Sequence, residues 1–223
     1  MYRYLIIVFC AILTFSAGLT SAQAIVPPPT DDTRLWNDLQ ISVPLNKKVD
    51  LVFTGTFRLG RGLSHPVSER GAVSIAYKAT KFLTLETGYQ YVANQPSKGR
   101  KNYSSNLIFA GTLKFPVGKL TVSDRNLVER RFRNSRPDST RYRNRLRVEY
   151  PVVVRDTKFN VFASDEVFYD STLNKWARNR FSVGANKKLN ERLTGEVYYM
   201  RQNDSFSRPG DLHIIGSIFR VNF

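Results

Sequence analysis

The residues best suited to chemistry are arginines and glutamates set two apart. Arg125, Glu129 and Arg131 share one parity. Arg141, Arg143, Arg145, Arg147 and Glu149 form the next run, then Glu166, then Arg178 with Arg180. Planar guanidinium forks hold carboxylates through paired hydrogen bonds, so side chains at this spacing can build an Arg–Glu network on one face of a sheet. Such a network either fills and stiffens an interior or, where arginines outnumber glutamates, draws anions to a constriction. Arg141 to Glu149 carries four arginines against one glutamate, and any surplus charge belongs there. Carboxylates with arginine partners make poor general acids.

Other catalytic machinery is sparse. The two histidines are His65, before Pro66, and His213, followed by Ile214 and Ile215. Lipid hydrolases on small membrane barrels resemble serine esterases, with Ser and His two apart on one strand. Neither histidine has a serine at that spacing, although Ser205 and Ser207 precede His213 in the chain. His213 is therefore kept as a rim candidate and read first as an interfacial histidine bonded to a loop or headgroup. No P-loop, dinucleotide fingerprint, His-rich metal spacing or EF-hand loop occurs. No catalytic residue, metal or cofactor is assigned, and the reading leans away from an enzyme.

The elements that must carry the charges are strands. From Arg34 onward the chain repeats about ten residues of alternating polarity, then a turn. Eleven such segments lie near 34–44, 49–59, 69–79, 82–93, 102–115, 119–131, 141–151, 157–169, 176–187, 192–202 and 211–223. In the fifth, Tyr103, Leu107, Phe109, Gly111, Leu113 and Phe115 share a face, with Asn102, Ser104, Asn106, Thr112 and Lys114 opposite. A period of two marks a strand with one apolar and one polar side. Repeated without a helical interlude, it is the pattern of an all-β, up-and-down antiparallel transmembrane barrel with an apolar outside and a polar lumen. Single-chain bacterial barrels have even strand numbers, so 10 or 12 strands are expected from eleven candidates. Asp124 and Asp165 have the wrong parity for the lumen, which predicts a bulge or a shifted register beside them. Short turns near 46–48, 79–81, 116–118 and 189–191 alternate with longer connections at 60–68, 94–101, 132–140 and 203–210, the expected asymmetry between periplasmic turns and outer loops.

The start of the chain reads as an export leader. Arg3, the apolar run Leu5–Phe15 and Ser21-Ala22-Gln23-Ala24 predict cleavage after Ala24. The only cysteine, Cys10, lies within the leader, so disulfides and a cysteine nucleophile are excluded from residues 25–223. Residues 25–33, with three prolines, read as an extended lead-in. The net charge of +16, or +15 without Arg3, would suit nucleic acid. Export directs it instead towards lipopolysaccharide phosphates or an anionic solute. No apolar stretch beyond residue 24 reaches helix-spanning length, so a membrane protein built from these residues must be a closed barrel.

Several segments resemble a known family. Arg125-Asn126-Leu127-Val128-Glu129-Arg130-Arg131-Phe132, Arg143-Asn144-Arg145-Leu146-Arg147-Val148-Glu149-Tyr150, Asp165-Glu166-Val167-Phe168-Tyr169 and Arg178-Asn179-Arg180 are similar to the charged-strand motifs of domain-of-unknown-function family 2490. Trp36, Gly88-Tyr89-Gln90-Tyr91 and His213 also fit. The resemblance implies a bacterial outer-membrane barrel and no particular activity. It also implies a Glu-x-Arg pair at the start of the fifth strand, where this chain has Lys101-Asn102-Tyr103. The expectations are a structural barrel or passive small pore, with a lipid-acting enzyme or a soluble ligand-binding barrel as alternatives. Expected partners are outer-membrane lipids and the assembly machinery that reads a last strand ending in Phe223.

Overall fold

The computed structural model describes residues 30–97 and 99–223, and every regular element among them is a β-strand. The predicted leader and residues 25–29 of the lead-in lie outside the described residues. The strands are β1 (Asp31–Pro44), β2 (Val49–Gly60), β3 (His65–Lys78), β4 (Leu83–Ser97), β5 (Arg100–Val117), β6 (Leu120–Arg133), β7 (Ser139–Val154), β8 (Thr157–Asp170), β9 (Lys175–Lys188), β10 (Leu193–Asp204) and β11 (Asp211–Asn222). Each strand pairs with its sequence neighbours, and β1 pairs with β11 to close a single barrel.

The count corrects the expectation of an even number. Ten of the contacts are antiparallel, and the closing pair is parallel, with Asp31 opposite Asp211 and Ser42 opposite Asn222. An odd number of up-and-down strands leaves the first and last running the same way, and a parallel ladder is the one way to join them. The readings of loops at 60–68, 94–101, 132–140 and 203–210 are also corrected. Ladder pairing extends into them, so β3 begins at His65 and β5 at Arg100. Polar residues there hid the alternation. The connections that remain, such as 134–138 and 205–210, are little longer than those at the other end.

Alternation sorts the side chains. Phe109, Val197 and Ile215 point outward and are 55%, 63% and 57% exposed, while Glu129 and Ile214 point inward and are 1% and 0% exposed. The inward face also holds an apolar cluster of Trp36, Phe162, Tyr198, Leu212 and Ile214, with Met200 and Ile218 packed on it. Glycines make room for its largest member. Tyr198 stands opposite Gly216 on β11 and Gly184 on β9, and a Cβ at either would collide with it.

The bulge or shifted register predicted beside Asp124 and Asp165 is a further correction. Pairing runs unbroken past both, and the register shifts fall at Arg58/Leu59, Asn94/Ser97 and Phe168/Tyr169. The two aspartates keep their parity, so they belong to the outer face.

Candidate functional site

The inward faces of β6 to β9 gather the charges into one network. Antiparallel pairing sets Glu129 beside Arg141 and Arg145 beside Glu166, and strand alternation aims all four at the lumen. Glu129 accepts from Arg141 Nε at 2.9 Å and from Arg143 Nη1 at 2.7 Å. Arg143 turns its other edge to Glu166 Oε1, with Nε at 3.1 Å and Nη2 at 2.7 Å. Glu166 Oε2 lies 3.5 Å from Arg180 Nη1, and Arg180 Nε donates to Gln202 at 2.8 Å. The result is a continuous network from β6 to β10.

A second group sits nearer the short-turn end. Both terminal nitrogens of Arg147 donate to Glu196 at 3.0 Å, a forked contact from β7 to β10 across two intervening strands. Arg147 Nη2 also reaches Glu149 at 2.7 Å, and Arg220 donates to Glu196 at 2.9 Å. Arg125 pairs with Glu86 at 2.9 Å, Arg131 with Asp170 and Arg178 with Asp204. Among the described residues Arg145 forms no ion pair.

Aromatic rings complete the interior. Arg147 lies 3.5 Å over the Phe162 ring and Arg58 lies 3.6 Å over Trp36. Arg180 is 4.9 Å from Trp36 and 4.7 Å from Phe168. Cation–π contact suits a guanidinium in a dry site, and here it lets apolar and charged residues occupy one interior. Eight-stranded barrels have interiors that side chains just fill; eleven strands enclose a wider lumen, which here takes long arginines and aromatic rings reaching in from several strands.

All eleven lumen residues singled out in the sequence therefore face inward, and ten of them take part in ion pairs. Their partners Glu86, Asp170, Glu196 and Asp204 were missed, as was Arg220, which pairs with Glu196. Each shares the inward parity of its strand, so the signal existed, but single carboxylates in polar surroundings carry no spacing pattern. Trp36 and Phe162 were missed as ring platforms because an inward aromatic contradicts the simple apolar-out rule.

His213 is placed on the outer face near the start of β11. Its Nδ1 is 2.7 Å from the Tyr199 hydroxyl, with the rings 6.1 Å apart. Ser207 turns elsewhere, donating to Asp204 at 2.8 Å. Among the described residues no serine hydroxyl and no carboxylate bonds to His213. Among the described residues no group of three or more His, Asp or Glu side chains could hold a metal ion.

The geometry defines a class: a closed, almost wholly antiparallel barrel of eleven strands with an ion-paired lumen and an apolar exterior. Within that class the chain belongs to the family described as Protein of unknown function (DUF2490), whose model matches residues 33–212. LpxR from Salmonella typhimurium has a similar structure, with a TM-score of 0.53 and 12% sequence identity, covering 82% of this chain and 87% of that one. At that identity the likeness concerns the fold alone. No curated protein matches the sequence.

Proposed function

We propose that this protein is a resident of the bacterial outer membrane whose lumen is shut, so that it serves as a structural barrel and not as a passive pore. The outer-membrane reading is supported by the exposed band of Phe53, Ile75, Leu107, Phe109, Val197 and Ile215 around the wall. A water-soluble barrel would present polar residues there, whereas a barrel in lipid needs an apolar outside and a closed ladder. The leader predicted from the sequence agrees with export.

The observation that carries the closed lumen is the cross-strand fork from Arg147 to Glu196, stacked on Phe162. With the Arg143 network it places paired charges and rings through the interior. An anion crossing it would have to displace carboxylates from guanidinium groups already held through two bonds each.

Planar-bilayer recording of the folded protein tests this directly. The wild type is expected to be silent, and Arg147→Ala combined with Phe162→Ala is expected to conduct. Steady anion-selective steps from the wild type would reinstate the pore. Separately, a purified protein that stays monodisperse without detergent would remove the membrane reading.

A further inference from the structure

We infer that the outer wall of β6–β10 carries a binding track for a phospholipid whose headgroup bears a primary ammonium. The inference rests on the reading that this wall lies in lipid. It starts from one register row. Asn126 pairs with Asn144, Asn144 with Val167, Val167 with Asn179, and Asn179 with Asn203. All five side chains have outward parity, and four are asparagines. Four strand spacings of about 4.8 Å make the row roughly 19 Å long.

The row slopes across the wall. Asn203 is the last residue but one of β10, beside connection 205–210, while Asn126 stands at the middle of β6. Two carboxylates flank it. Asp124 accepts from Asn126 at 2.8 Å and from Asn144 at 2.6 Å, and Asp165 accepts from Asn179 at 2.8 Å. Among the described residues neither aspartate forms an ion pair, whereas every inward glutamate of β6–β8 does. Uncompensated carboxylates halfway up an apolar wall are unfavourable in hydrocarbon. A ligand that brings hydrogen-bond donors and positive charge would offset that cost.

The upper end of the row opens into a broad surface hollow lined by Val167, Trp176, Asn179, Asn203, Ser205 and Asp211 together with the Arg178–Asp204 ion pair. Trp176 packs edge-on against Tyr142 and Tyr169, at 6.0 and 5.7 Å between ring centroids, giving the hollow an apolar shoulder. Arg201, facing outward on β10, donates to Asn203 at 3.2 Å and makes no ion pair among the described residues. Asp165 and Arg201 lie in one register row on either side of Phe181, and with the neighbouring amides they complement a zwitterion, with phosphate towards Arg201, ammonium towards Asp165, and chains along Val167 and the wall below.

The test is native mass spectrometry of the detergent-purified full chain with added phosphatidylethanolamine or phosphatidylcholine. The two share the phosphate, but only the first has N–H donors. The wild type is expected to retain phosphatidylethanolamine at least fivefold better. Asp165→Asn and Asn179→Leu should each erase that preference while leaving heat-modifiable migration unchanged. Equal retention of both lipids, or a preference untouched by the substitutions, would overturn the inference. So would a wild-type dimer dissolved by the same substitutions, which would give the surface to a second copy of the chain. A protein that needs detergent yet shows no headgroup preference sinks this inference alone. One that needs no detergent sinks the membrane reading beneath it.

Discussion

The two faces of β6–β8 treat the same acidic group in opposite ways. Inside, Glu129 is 1% exposed and is held by Arg141 and Arg143, and Glu166 shares Arg143 and adds Arg180. Outside, Asp124 and Asp165 have only asparagine amides for company. On the inner face a carboxylate is part of the packing, because removing it would strand buried guanidinium groups. On the outer face a carboxylate sits where an apolar side chain would be expected, so its presence reports something other than stability. The same substitution is thus expected to change sign across a wall one strand thick.

The largest effect that could break this contrast lies in the lumen. Glu129→Ala should cost roughly 3–5 kcal/mol, since it leaves Arg141 and Arg143 buried without a shared partner. Urea titration followed by heat-modifiable migration would show the midpoint fall, and an unchanged midpoint would mean that water reaches the network freely. Gly216→Ala should cost about 1–3 kcal/mol, because its methyl group meets the Tyr198 ring and overpacked interiors lose about that much. Tyr198→Ala in the same chain should recover part of the loss in that titration.

The outer wall sharpens the comparison with the opposite sign. Asp124→Leu should raise stability in a bilayer by up to about 2 kcal/mol, since acidic residues on a lipid-facing wall cost less than the 2–4 kcal/mol of basic ones. A fall in the bilayer unfolding midpoint would instead make Asp124 a structural residue. The smallest effect is expected at the turn end of the barrel, where Lys78 meets Asp50 at 2.8 Å in a half-exposed pair. Lys78→Ala should shift the midpoint by less than about 1 kcal/mol, and the shift should vanish in high salt.

Much of the fold was legible in the sequence, because a two-residue period survives any rearrangement of neighbours. All eleven segments became strands, and the arginine runs on the seventh and ninth fell on the inward face. What stayed hidden has a common cause. Parity says which face a residue occupies but not which strand lies beside it, so the Arg147–Glu196 fork could not be read, nor the parallel seam between β1 and β11. Parity also cannot separate a local slip from a true exception. The parity of Asp124 and Asp165, wrong for the lumen, predicts a bulge or a shifted register, yet the ladder passes both without a shift. The asparagine row was invisible because its members are 18, 23, 12 and 24 positions apart in the chain, and only the register lines them up.

The parallel seam has a consequence for chain engineering. β1 starts and β11 starts at the same end, so the start of β1 and the finish of β11 lie at opposite ends of the barrel. A circularly permuted version could not be joined by a tight hairpin. Its linker would have to run the height of the wall, twelve paired residues at about 3.3 Å each, or roughly 40 Å of extended path. Reporter tags fused just before Asp31 and after Phe223 would for the same reason mark two different sides of whatever surface the barrel spans.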